Sequence, residues 1–123
     1  YFDIILPYDL TILVQRSEND IWKKLFEYPM IESDSELMPS EEIIYQNIRK
    51  IFTHSIENTY MVIKKMVSKQ ELTHQKIVAV FYQITLIQHT KKINKGHYLV
   101  ERKKVSNFAF PKIITEYLKT KDF

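Results

Sequence analysis

The stretch KIVAVFYQITLI, residues 76–87, gives the strongest indication of the fold because most of its positions are apolar. A strand with one face in water alternates apolar and polar residues, whereas apolar residues on both faces indicate a strand in the middle of a sheet. The stretch TYMVIKKMV, residues 59–67, predicts a neighbouring strand. The polar segment SKQELTHQ, residues 68–75, is then predicted to connect the two strands.

Two further strands are predicted at the start of the sequence. YFDIIL, residues 1–6, is rich in strand-forming residues, and LTILVQR, residues 10–16, has Leu10, Ile12 and Val14 on one face. The intervening PYD predicts a turn, so these two strands are expected to form a hairpin with each other.

Two helices are predicted, one in the middle and one at the end of the sequence. SEEIIYQNIRKIFTH, residues 40–54, begins with Ser40 as a cap, continues with acidic residues that suit the helix dipole, and repeats isoleucine on one face. FAFPKIITEYLKTKDF, residues 108–123, has Pro111 in a position typical of a first helical turn. HYLVERKKV, residues 97–105, predicts one more strand. The order of elements indicates an α+β fold, a mixed sheet with helices packed on it.

Charge is unevenly distributed along the chain. Residues 1–60 carry 11 Asp and Glu against 5 Lys and Arg, whereas residues 61–123 carry 4 against 13. Clustered lysines gain by displacing counterions around phosphates, so this asymmetry indicates binding to nucleic acid or to another anionic surface. The length of 123 residues predicts one domain, and the absence of cysteine excludes disulfides, thiolate metal sites and cysteine catalysis.

The sequence lacks the residue patterns that are typical of most catalytic sites. The four histidines do not show metal-binding spacing, and one glycine leaves no room for a phosphate loop or a dinucleotide fingerprint. A cluster of aromatic residues, Trp22, Phe26 and Tyr28, is interpreted as core rather than as a platform for bases. Solvation and the helix dipole account better than acid–base catalysis for four clustered carboxylates. These are Asp34, Glu36, Glu41 and Glu42.

Three sequence landmarks together resemble a known family. DIWKKLFEYPMIES, residues 20–33, resembles the tryptophan-containing segment of Nudix-like domains, and more closely that of the C-terminal domain of MutY-type adenine DNA glycosylases. ELTHQKI, residues 71–77, stands where that domain has its F-S-H motif, and NFAFPKIITEYL, residues 107–118, resembles its closing A-F-P helix. The three landmarks occur in the family's order and extend the resemblance over residues 1–118. The sequence resembles the bacterial members of the family.

The resemblance implies a fold, a parent protein and a set of partners. It implies a Nudix-like mixed sheet with two packed helices, and one domain over residues 1–123 that recognises the lesion but catalyses nothing. It implies a longer glycosylase whose N-terminal catalytic domain, with its [4Fe–4S] cluster, removes adenine opposite 8-oxoguanine in base-excision repair. The expected partners are double-stranded DNA containing 8-oxoguanine:A and that catalytic domain in cis. No cofactor is expected in this domain, no membrane is expected as a partner, and the expected location is the bacterial cytoplasm, acting on the nucleoid.

The resemblance also assigns roles to the residues around ELTHQKI. Thr73 stands for the family's serine, and a hydroxyl can accept from the N7 hydrogen of 8-oxoguanine and donate to its O8. Leu72 replaces a phenylalanine and is expected to wedge against the base stack, while His74 braces the loop or meets a phosphate. The remaining candidates for DNA contact flank this motif. They are Lys69, Gln75 and Lys76, with at most one of Lys64 and Lys65 because neighbouring strand residues face opposite ways.

Two other functions and one structural interpretation remain open at this point. A divergent Nudix hydrolase would need magnesium ligands on the helix at residues 40–54, where Glu41 and Glu42 are the only acidic residues. A Nudix-like fold that binds a protein partner is the second alternative. Without the family resemblance, Leu72 would be interpreted as a cover for the end of the sheet and Thr73 as a cap for the turn.

Overall fold

The computed structural model describes residues 1–15, 25–31, 39–53, 61–72, 75–86 and 92–121, with the backbone alone for residues 61–72 and 75–78. Within these ranges the chain forms six strands, two α-helices and one 3₁₀ helix. The strands are β1 (Phe2–Ile5), β2 (Leu10–Gln15), β3 (Phe26–Glu27), β4 (Met61–Leu72), β5 (Gln75–Leu86) and β6 (His97–Glu101). The helices are α1 (Glu41–Arg49), the 3₁₀ helix (Arg102–Asn107) and α2 (Lys112–Leu118).

β5 is the central strand of the first sheet, in the order β1-β5-β4. It pairs in parallel with β1, where Phe2 is opposite Tyr82, and antiparallel with β4 along its whole length. The sheet is therefore mixed, and the prediction of a central strand at residues 76–87 is confirmed. The apolar residues on both faces of this strand have a structural reason, because alternate residues enter different cores. Ala79 and Phe81 belong to one core, and Tyr82 and Ile84 to the other.

The predicted hairpin between the first two strands is wrong. β2 lies in a second, antiparallel sheet of order β3-β2-β6, whereas β1 belongs to the first sheet. In the described part of the chain, an isolated bridge between Leu6, just after β1, and Leu10 is the one backbone pairing between these two segments. Because β1 has its partner in β5 and β2 pairs over five residues with β6, the turn at residues 7–9 joins two sheets rather than two strands of one sheet.

This turn holds two non-glycine residues in the left-handed region, Tyr8 at φ +65° and Asp9 at φ +58°. Asparagine adopts that conformation more readily than tyrosine. We therefore expect Tyr8→Asn to raise the free energy of unfolding by about 0.5 to 1 kcal/mol in equilibrium denaturation. Tyr8 is 80% exposed, and Tyr8→Ala is the matched control because it removes the ring but keeps the strain. Equal effects of the two substitutions would contradict the role of backbone strain.

α1 begins where its sequence predicts but ends at Arg49 rather than at residue 54, and Phe52 instead forms an isolated bridge with Ile93. Ser40 is the N-cap and its hydroxyl accepts from the backbone N–H of Ile43 at 3.3 Å, while Glu41 and Glu42 occupy the first turn. Ile44 and Ile48 are buried on the face turned to the first core. That core also contains residues of β1, β2 and β5, so α1 packs where the two sheets meet.

α2 covers the second core, in which residues from both sheets again take part. Ile113, Ile114 and Tyr117 are buried, as their spacing predicts, and Pro111 stands at the N-cap. The α+β class with a mixed sheet and two packed helices is therefore confirmed. Within the described residues, no helix is long and apolar enough to cross a membrane.

Other predicted boundaries also need correction. The closing helix predicted over residues 108–123 begins at Lys112 and ends at Leu118. β4 and β5 continue through most of the segment predicted to connect them, so the connection shrinks from residues 68–75 to the two residues 73 and 74. The strand predicted at residues 97–105 ends at Glu101, where the chain turns into the 3₁₀ helix. The break coincides with a residue, Arg102, whose side chain has a buried partner on another strand.

Candidate functional site

The end of the β4–β5 hairpin carries the site that the sequence predicts. Leu72 is the last residue of β4 and pairs with Gln75, the first residue of β5. The predicted residues Thr73 and His74 come between them in sequence and lie outside the described residues. The structure therefore brings together the two residues that flank the predicted recognition residues.

The register divides the predicted site residues between the two faces of the hairpin. Lys69 and Lys76 occupy positions on one face, and Leu72 and Gln75 occupy positions on the other. A flat hairpin therefore offers its two lysines and its Leu72/Gln75 pair in opposite directions.

The hairpin extends beyond the strand that supports it. β1 pairs with β5 only from Tyr82 to Thr85, and the backbone nitrogen of Tyr1 donates to the Val80 carbonyl at 2.9 Å. Five further pairs, from Ser68/Ala79 to Leu72/Gln75, have only each other among the described strands. We call these five pairs the hairpin arm. At about 3.3 Å per residue, the arm is about 16 Å long.

Aromatic stacking fixes the root of the hairpin arm. The ring of Phe81 in β5 stacks on that of Tyr117 in α2, with 4.0 Å between centroids and 3° between planes. The ring of Tyr1 lies 5.1 Å from the same Phe81 ring. Such contacts stabilise a pair of rings beyond the burial of their area. The arm therefore continues from a packed base made of β1, β5 and α2.

A buried polar network continues from this base into the core. The hydroxyl of Tyr117 donates to Asp3 Oδ2 at 2.8 Å, and Arg102 Nη1 donates to Asp3 Oδ1 at 2.9 Å. Asp3 is fully buried and Arg102 is 8% exposed. One carboxylate thus ties β1 to the 3₁₀ helix and to α2. Sequence reasoning missed this network, although an acidic residue inside the apolar run YFDIIL is a signal that a partner must exist.

Two buried tyrosines near Asp3 have raised pKa values, Tyr117 within this network and Tyr28 beside it. Burial is the main cause that raises the pKa of Tyr117 far above its ordinary value, and the negative charge of Asp3 adds to the effect. Burial and Asp3 raise the pKa of Tyr28 in the same way. The Tyr117 hydroxyl therefore remains a hydrogen-bond donor to Asp3 at neutral pH.

Most of the basic side chains in residues 92–121 are exposed to solvent. Residues 92–121 carry eight Lys and Arg against two Asp and Glu. Six of these lysines have exposed side chains, whereas Arg102 is buried in the network. The exposed lysines are Lys92, Lys95, Lys103, Lys104, Lys112 and Lys119. These cations give this part of the surface a positive charge that attracts phosphates.

α1 is the helix on which a Nudix hydrolase would need its magnesium ligands, and its polar side chains are arranged differently. Glu41 and Glu42 lie in its first turn, where Glu42 accepts from Gln46 at 3.5 Å. The side-chain amide of Asn47 donates to the Ile43 carbonyl at 2.8 Å. Over the ranges described, no three His, Asp or Glu residues are grouped so that they could hold a metal ion.

Two of the three landmarks that carry the family resemblance contact each other. The backbone nitrogen of Phe26 donates to the Ala109 carbonyl at 2.8 Å, and the rings of Tyr28 and Phe110 are stacked 6.3 Å apart. Tyr28 is fully buried, as the interpretation of this aromatic cluster as core requires, while Trp22 lies outside the described residues. Comparison with protein-family models and with curated proteins gives no match for this chain.

Proposed function

We propose that the chain is the 8-oxoguanine-recognition and DNA-binding domain of an A/G-specific adenine DNA glycosylase. The proposal rests on one observation above all, the pairing of Leu72 with Gln75 at the end of a long hairpin. Residues L-T-H of the family landmark begin at this end, and the arm behind them has a fixed root. A projection of this kind suits a group that must enter a duplex and contact one base.

In this proposal each residue near the end of the arm has its own task. The hydroxyl of Thr73 accepts from the N7 hydrogen of 8-oxoguanine and donates to O8, the two positions at which this base differs from guanine. Leu72 presses on the base stack beside the lesion as an apolar wedge. His74 steadies the loop or binds a phosphate, and Gln75 is a further candidate for contact with the DNA.

Lysines supply affinity that does not depend on the base. Lys69 and Lys76 lie on the face of the arm opposite Leu72, where an end-on approach brings them to the two backbones that border the groove. The exposed lysines of residues 92–121 add a positive field that steers the domain to DNA.

The proposal also includes the parent enzyme and its location. The domain is Nudix-like and catalyses nothing by itself, and it acts in cis with a catalytic domain that holds a [4Fe–4S] cluster. The location would be the bacterial cytoplasm. The pair would carry out base-excision repair, one domain removing adenine while this one identifies the 8-oxoguanine opposite.

Binding to DNA should depend strongly on salt. We expect the logarithm of the association constant for an 8-oxoguanine:A duplex to fall linearly with the logarithm of the salt concentration, because bound lysines release counterions. Lys69→Gln and Lys76→Gln should each reduce the slope by about 1 if each lysine contacts one phosphate. Fluorescence anisotropy titrations at several salt concentrations measure the slope.

The control for this experiment is Lys50→Gln, a lysine of the acidic half at the C-terminal cap of α1. It should leave the slope unchanged. An affinity that does not vary with salt, or a slope that is insensitive to both hairpin lysines, would contradict the electrostatic part of the proposal.

A further inference from the structure

A cleft of about 280 Å³ lies between α1 and the sheet of β2, β3 and β6, away from the hairpin arm. Its sheet wall is one row of residues across three strands. Val14 pairs with Glu27 on one side and with His97 on the other, so all three lie on the same face. With strands about 4.8 Å apart, Glu27 and His97 are about 10 Å from each other across Val14.

The opposite wall comes from the end of α1. Asn47 and Lys50 line the cleft there. The amide nitrogen of Asn47 is held by the Ile43 carbonyl, which leaves its Oδ1 as an acceptor. Among the described residues, the ammonium group of Lys50 has neither an ion pair nor a hydrogen bond to hold it. The wall therefore offers one cation whose charge is not neutralised by a described neighbour.

Asn94 fixes the two basic residues of the cleft relative to each other. Its side-chain amide donates to the Lys50 carbonyl, and its own carbonyl accepts from the backbone N–H of His97 at 3.2 Å. The imidazole Nδ1 of His97 lies 3.3 Å from the same carbonyl. Because a carbonyl can only accept, Nδ1 is the donor in this contact, and Nε2 of that tautomer is an acceptor that suits a ligand hydroxyl or N–H rather than an anionic oxygen.

The remainder of the lining is apolar and includes Phe2, Val14 and Met30. An engineered apolar cavity of about 150 Å³ holds benzene, so this cleft has room for a ring with a substituent. Glu27 repels a negative group at its own end of the row. An anionic substituent is therefore directed away from Glu27, toward the Lys50 ammonium on the opposite wall.

We propose that this cleft binds a small organic anion, a compact ring that carries one carboxylate or phosphate group. The ring packs against Phe2, Val14 and Met30, and the anionic group meets the Lys50 ammonium. The site is separate from the hairpin arm and does not depend on the role of the arm in DNA recognition.

Calorimetric titration of the chain with benzoate, phenyl phosphate and benzamide tests this proposal. Benzamide has nearly the shape of benzoate without its charge, and it should bind about tenfold more weakly than benzoate because it loses the charge-assisted contact. The stronger of the two anions identifies a carboxylate or a phosphate as the preferred group. Absence of binding by both anions at millimolar concentrations would overturn the proposal, as would equal binding of benzoate and benzamide.

Lys50→Gln is the decisive variant because its side chain is exposed and its loss leaves the core intact. It should weaken binding of the preferred anion about tenfold and leave that of benzamide unchanged. Lys112→Gln, an exposed lysine of α2, is the matched control and should change neither affinity. Equal effects of the two substitutions would overturn the assignment of Lys50. DNA binding by Lys50→Gln should remain that of the wild type, so failure of this site and failure of the DNA-binding proposal are distinguishable.

Discussion

Arg102→Met should lower the free energy of unfolding by about 3 to 5 kcal/mol, because it leaves the buried carboxylate of Asp3 without its cation. The aliphatic part of methionine fills much of the space of the arginine, so the loss reports mainly the uncompensated charge. Equilibrium denaturation with urea, followed by circular dichroism, measures the change.

The neighbouring Lys103→Met is the matched control. Lys103 has a 69% exposed side chain and lies 4.0 Å from its acidic neighbour Glu101, so its replacement should change the free energy of unfolding by less than about 0.5 kcal/mol. A double variant, Asp3→Leu with Arg102→Met, should be more stable than Arg102→Met alone because both buried charges are then removed. If Arg102→Met were no more harmful than Lys103→Met, the buried network would not be a main support of the fold.

Thr73→Ala should reduce the preference for 8-oxoguanine:A over G:A duplexes by about 1 to 3 kcal/mol, the range for one good base contact. The substitution removes the hydroxyl and the γ-methyl group, and of these only the hydroxyl can hydrogen-bond to the N7 hydrogen and O8 that distinguish 8-oxoguanine from guanine. Anisotropy titrations of both duplexes at one salt concentration give the ratio of affinities, which should fall about fivefold to 150-fold.

Two companion variants separate recognition from structure. Thr73→Ser keeps the hydroxyl and should retain most of the preference, whereas Thr53→Ala, an exposed threonine after α1, should change nothing. Equal loss of affinity for both duplexes in Thr73→Ala would instead assign the threonine a structural role in the turn.

The sequence predicted those elements whose signals are local. Ser40 marks the start of α1, and the isoleucines at Ile113 and Ile114 mark the buried face of α2. The central strand was predicted because alternate residues enter different cores, so that most positions of residues 76–87 are apolar. In each case the residues that form an element also carry the evidence for it.

The wrong predictions concern which strands and side chains pair with each other, rather than which segments form strands or helices. The strand pattern of residues 1–16 is correct, but nothing in it indicates that the two strands belong to different sheets. The polar residues 68–71 concealed the ends of the hairpin, because strands that have no further neighbour need not be apolar. The pair of Asp3 and Arg102, 99 residues apart, depends on the tertiary fold alone.

The functional sites, too, could be predicted only where the evidence is local in sequence. The position of L-T-H near the end of a hairpin follows from the two strands on either side, and the structure pairs the residues that flank its centre. The cleft that we assign to a small anion could not be predicted, since Glu27, Lys50 and His97 come from three distant parts of the chain. A lysine, a glutamate and a histidine at such separations form no recognisable motif.

The most direct test of the proposed function is the affinity of the wild-type chain for two duplexes that differ in one base. Both carry adenine in one strand at the same position, opposite 8-oxoguanine in one duplex and guanine in the other. We expect the 8-oxoguanine duplex to bind at least about fivefold more tightly at the same salt concentration, as one specific base contact requires. Equal affinities for the two duplexes would contradict the account of this chain as a lesion-recognition domain.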